Sequence, residues 1–143
     1  MRRYFFSKGQ RLLKEGDFRG VLAQKCCVYD DLARLYVGRN GLGVCRFGIS
    51  VSRKYGNAVA RNRVKRLGRE AFRLSQHDLP SGYDYLLILA PKRSKKGGSV
   101  PSAGTPEVDF AMIRERFLRL AEKAVRKSRQ RCERHMEDAT GEQ

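Results

Sequence analysis

The sequence predicts a single α+β domain over residues 1–143, with elements in the order helix, strands, helix, strand, helix. Three observations lead to this fold class. The chain has 143 residues, a length typical of one domain, and 41% of them are hydrophobic, enough to form a core. Apolar residues alternate with period two in several short runs, as they do in strands. In two longer runs they recur with the period of an amphipathic helix.

The first predicted elements are a short helix and a pair of strands. The stretch EGDFRGVLAQ is predicted to form the helix. Its apolar residues on one side are Phe18, Val21 and Leu22. The segment CCVYDDLARLYVG has two apolar runs around two aspartates, which indicates a strand, a tight turn and a second strand. In the second strand Leu35 and Val37 share one face, whereas Arg34 and Tyr36 share the other.

Two further strands flank the longest helical run. In RFGISVS the larger apolar residues occupy every second position, which predicts a strand with one buried face. These residues are Phe47, Ile49 and Val51. In YDYLLILA both faces are apolar from Leu86 to Ala90, which indicates a central strand that is buried on both sides.

The C-terminal part is predicted to contain a loop, a helix and a tail. Residues 93–106 are rich in Gly, Ser, Pro and Lys, which is typical of a mobile loop. Thr105 is predicted to cap the next helix, with Pro106 at its first position. Residues from about 135 to 143 are polar and are expected to be frayed. The apolar residues of this helix are Phe110, Ile113, Phe117, Leu120 and Ala124.

The segment GNAVARNRVKRLGREAFR combines an apolar stripe with a concentration of positive charge. Asn57 is a favourable N-cap, so this helix is predicted to begin at Ala58. The stripe, within an arc of about 80°, consists of Ala60, Val64, Leu67, Ala71 and Leu74. The opposite side, about 140° wide, carries Arg61, Asn62, Lys65, Arg66, Arg69 and Arg73. Glu70 is expected to pair with Arg66 at the i,i+4 spacing, which leaves the other cations without a partner.

The charge of the chain indicates a polyanionic partner. The net charge is +16 and the pI is about 10.3, values typical of proteins that bind RNA, DNA or an anionic membrane. A membrane surface is disfavoured because the apolar stripe lies opposite the basic face instead of flanking it. No apolar run approaches the roughly 18 residues of a membrane span. The apolar part of MRRYFFSKGQ is too short for a signal peptide. We therefore expect a cytoplasmic protein that binds nucleic acid.

Neither a metal site nor a catalytic site is predicted. Cys26 and Cys27 are adjacent and lack the spacing of a zinc site. Cys132 and His135 would form half a metal site, and the sequence offers no second half. His77 has no convergent partners, and no carboxylate cluster of the kind that a metal-dependent nuclease needs lies near the basic helix. All four cysteines are expected to be reduced thiols.

The stretch GISVSRKYGNAVARNRVKRLGREAF closely resembles the signature of the bacterial ribonuclease P protein component family. The family's Arg-Asn-Arg motif is matched by Arg61-Asn62-Arg63. Weaker similarity extends to RLLKEGDFRGVL, to the strand at Tyr83–Ala90 and to the closing helix, so the resemblance covers most of the chain. It implies an α-β sandwich with a four-stranded sheet and three helices, similar to ribosomal-protein folds. It also implies a left-handed β-α-β crossover through the basic helix, although about 98% of such crossovers are right-handed.

The resemblance also implies a function. Members of the family are small subunits of a ribonucleoprotein endonuclease that removes the 5′ leader of precursor tRNA. The RNA subunit is the catalyst and positions Mg²⁺ ions, so this chain is expected to hold no catalytic residue and to bind no cofactor by itself. One protein per RNA subunit is expected. A ribosomal-type RNA-binding protein without a processing role is the alternative, and a protein-only nuclease is the enzyme alternative.

Two RNA-binding surfaces follow from the resemblance. The family motif that contacts the RNA subunit is matched by Arg61, Asn62, Arg63, Lys65, Arg66, Arg69 and Arg73. A cleft between the first helix and the sheet holds the single-stranded leader in this family, and the matching residues are Phe18, Leu22, Tyr36, Arg53 and Lys54. Aromatic side chains there would stack on unpaired bases. The alternative for Phe18 and for Tyr36 is simple core packing.

The chain departs from the family pattern in three places. Leu22 stands where an aromatic residue is common, which removes one stacking surface. Gly68 stands in mid-helix where an apolar residue is usual, and it should cost about 1 kcal/mol relative to Ala. Replacing it by Ala is therefore expected to be neutral or stabilising if the position is uncrowded. The loop at residues 93–106 is longer than the family norm.

Overall fold

Four strands form a mixed sheet that carries one helix on one face and two helices on the other. The computed structural model describes residues 10–12, 15–30, 33–89 and 109–141, the last range without the side chains of residue 132 and residues 134–141. The strands are β1 (Cys27–Tyr29), β2 (Ala33–Arg39), β3 (Arg46–Val51) and β4 (Tyr83–Leu89). The helices are α1 (Glu15–Ala23), α2 (Ala58–Ser75) and α3 (Phe110–Gly141). The predicted loop at residues 93–106 lies outside the described residues.

The strand order in the sheet is β1-β2-β4-β3. The first three strands in this order pair antiparallel, whereas β3 pairs parallel with β4. The pairing of β1 with β2 confirms the predicted pair of strands, and residues 31 and 32 of the predicted turn lie outside the described residues. The position of β4 between β2 and β3 confirms the predicted central strand. Because β3 and β4 are parallel, α2 connects them as a β-α-β crossover. The left-handedness of this crossover stays a prediction.

The main core lies between the sheet and the helices α2 and α3. At its centre, the ring of Phe47 on β3 stacks on Phe72 of α2, with centroids 5.0 Å apart and ring planes at 9°. Phe117 of α3 meets both rings edge-on. Leu35 and Val37 of β2 are fully buried on the same side, which confirms the alternation predicted for this strand.

The buried stripe of α2 differs from the predicted one. The cap is confirmed, because the side-chain oxygen of Asn57 accepts a hydrogen bond from the N–H of Ala60 at 2.9 Å. The buried residues of α2 are Val64, Gly68, Ala71, Phe72 and Ser75. The predicted members Ala60, Leu67 and Leu74 are only half-buried. The stacking of Phe72 on Phe47 turns this side of the helix toward the sheet, which the spacing of aliphatic residues alone does not show.

Gly68 lets α2 pack closely against β3. A Cβ atom at this position would lie 2.4 Å from Cδ1 of Ile49 and 3.8 Å from the ring of Phe47. Ordinary contacts between carbon atoms are about 3.5–4.0 Å. The condition that the position be uncrowded is therefore not met, because a side chain here would require the terminal methyl group of Ile49 to shift.

The helix α3 begins later and ends later than predicted. A side-chain oxygen of Asp109 accepts a hydrogen bond from the N–H of Met112 at 2.8 Å, so Asp109 caps a helix that begins at Phe110. Thr105 and Pro106 lie outside the described residues. The helix continues to Gly141 without any glycine or proline before that residue, so it includes most of the segment expected to be frayed, and the fraying itself stays a prediction. The predicted apolar residues that are buried are Ile113, Phe117, Leu120 and Ala124.

Two cations in the second half of α3 attach this helix to the edge of the sheet. The Lys127 ammonium donates a hydrogen bond to the carbonyl of Cys27 at 2.9 Å. The guanidinium of Arg131 donates to the carbonyls of Lys25 at 2.9 Å and Gln24 at 3.2 Å. These contacts hold the second half of α3 beside β1, which explains why the helix does not stop where its apolar pattern ends.

Candidate RNA-binding surfaces

The outer face of α2 presents the predicted cations to solvent. Arg66 and Arg69 are exposed and form no ion pair with any residue that the structure describes. Arg63 is exposed as well. Burial raises the pKa of the Tyr55 phenol, and the nearby Arg63 guanidinium offsets only part of this increase. Of the remaining predicted residues, Asn62 is exposed, whereas Arg61, Lys65 and Arg73 are half-buried.

The acidic residue of α2 neutralises Arg73 instead of Arg66. The Nε of Arg73 donates a hydrogen bond to the Glu70 carboxylate at 3.0 Å, and a second bond joins Nη2 to the other carboxylate oxygen. The hydrogen bond from Arg73 lowers the pKa of Glu70. The expected pairing of Glu70 with Arg66 is therefore wrong, because the i,i+3 geometry offers Glu70 a two-pronged partner. Arg66 keeps its full charge for an external anion.

On the opposite face of the sheet, α1 crosses the strands from β3 toward β2. At the β3 end, a Cβ on Gly48 would lie 3.2 Å from the ring of Phe18 and 2.9 Å from Cβ of Leu12, so the glycine makes room for both. At the β2 end, the side chain of Gln24 accepts from the N–H of Arg39 at 2.8 Å and donates to its carbonyl at 3.1 Å. The direction of α1 is thus fixed at both ends.

The predicted stacking residues Phe18 and Tyr36 both face α1's side of the sheet. They pack against a small buried cluster, which consists of Leu12, Val21 and Leu86. Both side chains are only half-buried, so each combines core contact with surface that solvent reaches. Leu22 does not join this cluster, and 39% of its surface is exposed. The core and binding interpretations of the two aromatic residues are therefore compatible.

Arg53 and Lys54 form the first part of a short 3-10 turn between β3 and α2. Both are exposed. The hydroxyl of Ser52 accepts a hydrogen bond from the N–H of Lys54 at 3.2 Å and caps the turn. Because this turn leads from β3 directly into α2, the two cations adjoin both predicted surfaces.

A groove of about 230 Å³ at the β3 edge joins the two predicted surfaces. Its walls are formed by Arg11, Leu12, Phe18, Phe47, Gly48, Ile49 and Arg69. Phe18 belongs to the predicted leader cleft and Arg69 to the predicted helix face. The two predicted surfaces therefore adjoin at this groove. The physical reason is that β3 is an edge strand, so the space beside it opens toward both faces of the sheet.

Sequence reasoning missed the ion-pair network that fixes α1 to the sheet. The guanidinium of Arg46 binds both carboxylate oxygens of buried Asp84, at 2.7 Å and 2.6 Å. A third contact, at 3.2 Å, joins Arg46 to Asp17 of α1. The amide of Asn40 also donates to Asp84, at 2.8 Å. These hydrogen bonds, those to Asp84 most of all, raise the pKa of Arg46. Arg46 and Asp84 are paired residues on adjacent strands, so their contact could have been found only from the register.

The titratable groups with the largest pKa shifts lie in the core. Burial raises the pKa of the Cys45 thiol to about 11, and burial also raises the pKa of the Tyr85 phenol. Burial likewise raises the pKa of Cys26. Cys26, Cys27 and Cys45 are free thiols. No group of three or more His, Cys, Asp or Glu side chains that could hold a metal ion occurs within the described ranges.

A cationic helix on one side and half-exposed aromatic residues beneath a short helix on the other define a class of protein. The class is that of small α+β proteins that bind RNA by phosphate contacts and base stacking. No helix in the described part of the chain has the length and apolar character needed to cross a membrane.

Comparison with known proteins identifies the family within this class. A family model for Ribonuclease P matches residues 6–99. The "Ribonuclease P protein component" of Dictyoglomus turgidum is 35% identical over 122 residues, which are 85% of this chain and 93% of that protein. The solved RNase P protein of Staphylococcus aureus superimposes with a TM-score of 0.65 at 26% identity, over 82% of this chain and 96% of that one. The solved RNase P protein of Thermotoga maritima superimposes with a TM-score of 0.63 at 32% identity, over 79% of this chain and 96% of that one.

The chain belongs to the family of the bacterial ribonuclease P protein component. It is the protein subunit of a tRNA-processing ribonucleoprotein endonuclease, and its partner is the ribonuclease P RNA. The ribosomal-type alternative without a processing role is not supported by these comparisons.

Proposed function

We propose that this chain binds the 5′ leader of precursor tRNA on the α1 side of its sheet while α2 holds the RNA subunit. The observation that carries the proposal is the half-exposure of Phe18 and Tyr36 on one face of the sheet, together with the exposed cations Arg53 and Lys54 in the turn that follows β3. Aromatic rings stack on any unpaired base, and cations bind any phosphate, so the site suits a leader of variable sequence.

The α2 face serves the RNA subunit in this proposal. Its exposed cations Arg66 and Arg69 are free of acidic partners among the described residues, so each offers a full charge to a phosphate. Arg73 contributes less because Glu70 already binds it. Asn62 and Arg63 extend the same exposed surface toward the start of the helix. The groove at the β3 edge, which both Phe18 and Arg69 line, supports a leader path that runs beside the RNA subunit.

Catalysis belongs to the RNA subunit in this proposal. Mg²⁺ bound by that RNA would supply the activation of the water that hydrolyses the phosphodiester bond, whereas the residues of this chain would bind and position RNA. The pKa values of the buried thiols of Cys26 and Cys45 are raised, which keeps these groups protonated and unreactive at neutral pH. Within the described residues, one α2 face and one α1 face carry the proposed RNA contacts, which fits one protein per RNA subunit. Its free thiols fit a reducing cytoplasm.

The test compares precursor and mature tRNA binding by the reconstituted holoenzyme. Tyr36→Ala should weaken precursor binding by about 1–3 kcal/mol if one base loses its stacking partner. Binding of mature tRNA, which has no leader, should stay nearly unchanged, and Tyr36→Phe should preserve both affinities because the ring remains. Equal losses for precursor and mature tRNA would contradict leader binding at this face.

A second arm of the same experiment addresses the site of catalysis. The purified protein should not cleave precursor tRNA, whereas the RNA subunit alone should cleave it slowly at raised Mg²⁺, since the added cations replace the protein in neutralising phosphates. Cleavage by the protein alone would refute the proposed division of labour.

A further inference from the structure

One row of side chains on the α1 face of the sheet is exposed at three of its four positions, and the fourth, Ile88, packs against the small buried cluster beneath α1. The strand register aligns Tyr29 with Arg34, Arg34 with Ile88, and Ile88 with Ser50, so the row takes one residue from each strand. Tyr29, Arg34 and Ser50 are exposed and Ile88 is half-buried. In the adjacent row, Leu86 and Gly48 are buried by α1 and the segment before it.

Tyr29 is the unusual member of this row, because it belongs to neither of the two predicted RNA-binding surfaces. It lies on the edge strand β1, and 75% of its surface is exposed. Its neighbour Val28 packs against the main core on the other face, so the core does not use the Tyr29 ring. Tyr29 is diagonal to Tyr36 across the β1–β2 pair, a separation of about 7–8 Å. The exposed guanidinium of Arg34 lies directly opposite Tyr29.

We infer that this open row is a track for single-stranded RNA and that Tyr29 is its last stacking platform. The inference deepens the proposed function, because it rests on leader binding at the α1 face. Neighbouring strands are about 4.8 Å apart, so the row extends about 14 Å from β3 to β1. The chemistry along it suits a nucleic acid strand, with an aromatic ring for a base, a guanidinium for a phosphate and a hydroxyl for either.

The position of α2 orients the track. The row ends on β3 at Ser50, and Arg53 and Lys54 follow this strand in the turn that leads into α2. Since α2 holds the RNA subunit, the leader nucleotides nearest the cleavage site enter at β3. The nucleotides farther toward the 5′ end then run across β4 and β2 and reach Tyr29 on β1. Tyr29 therefore contributes only when the leader is long enough to reach β1.

The experiment measures holoenzyme affinity for precursor tRNA whose leaders grow one nucleotide at a time. In the wild type, affinity should rise in steps as the leader crosses the sheet. Tyr29→Ala should remove only the last step, by about fivefold to tenfold, the lower part of the range for base–aromatic stacking because the site is open to water. Tyr29→Phe should retain the step because it retains the ring.

Two further variants keep the outcome clear. Leu42→Ala removes an exposed apolar side chain from the loop between β2 and β3 and should leave every step unchanged. Tyr36→Ala should weaken binding at shorter leader lengths than Tyr29→Ala does. If Tyr36→Ala acts on the leader and Tyr29→Ala leaves every step intact, the track ends before β1 and this inference is wrong. If neither variant changes the leader dependence, the proposed leader site is itself wrong.

Discussion

The close contact between Gly68 and Ile49 makes the stability of α2 packing testable. A Cβ at residue 68 would lie 2.4 Å from Cδ1 of Ile49, more than 1 Å inside an ordinary carbon contact of about 3.5–4.0 Å. Overpacking of this kind costs about 1–3 kcal/mol. The gain in helix propensity from Gly to Ala is about 1 kcal/mol. We therefore expect Gly68→Ala to destabilise the protein by about 0–2 kcal/mol.

The Ile49→Val substitution removes the single methyl group that blocks this position. By itself it should cost at most about 0.5–1.5 kcal/mol, and toward the lower end because Ile49 is half-buried. In the Ile49→Val background, Gly68→Ala should become neutral or stabilising by up to about 1 kcal/mol, because the other nearby carbon, on Phe47, would be 3.8 Å away. The coupling free energy between the two sites should be about 1–3 kcal/mol.

Urea unfolding of the four proteins in this double-mutant cycle measures the coupling. The m-values should agree, since the fold does not change. A coupling free energy near zero would show that Ile49 does not limit the packing of α2, and a stabilising effect of Gly68→Ala in the wild-type background would show that the position is uncrowded. Either result would refute the packing argument.

Two further predictions concern RNA binding and pH. Arg66→Ala combined with Arg69→Ala should lower the salt slope of RNA-subunit binding by about 0.7–0.9 for each lost phosphate contact, whereas Arg73→Ala should change it less because Glu70 binds Arg73. An unchanged slope in filter-binding titrations of the double variant would remove α2 from the interface. Burial raises the pKa of Cys45 to about 11 from 9.0, so the unfolded state loses this proton first and stability should fall as the pH rises from about 9 to 11. Urea unfolding of Cys45→Ala should show a flatter pH dependence in that window, and an unchanged dependence would contradict the shift.

The parts of the fold that follow from local pattern were predictable. The alternating pattern of β2 correctly assigned Leu35 and Tyr36 to opposite faces of the sheet, and the Asn57 cap correctly located the start of α2. Both features depend only on residues that are neighbours in the sequence. The buried side of α2 was not predictable in full. It depends on which rings of the sheet the helix meets, and the stacking of Phe72 on Phe47 decides that.

The candidate site was predictable residue by residue but not in its arrangement. The resemblance supplied Phe18 and Arg69, and nothing local indicated that both line one groove at the β3 edge. The contact of Arg46 with Asp84 and the exposure of Tyr29 depend on strand order and register, which a single sequence does not provide. The sequence did not predict those features of the site that depend on how strands and helices distant in the sequence pack together.

The two cations of α3 that hold β1 have a consequence for self-association. An edge strand with free carbonyls is a template on which another chain can add a strand, and lysine is one of the residues by which proteins block such an edge. Lys127 occupies the outward carbonyl of Cys27, and Arg131 occupies those of Gln24 and Lys25 just before it. Side chains of the same molecule therefore occupy part of the β1 edge, which makes the addition of a strand from another chain less favourable there.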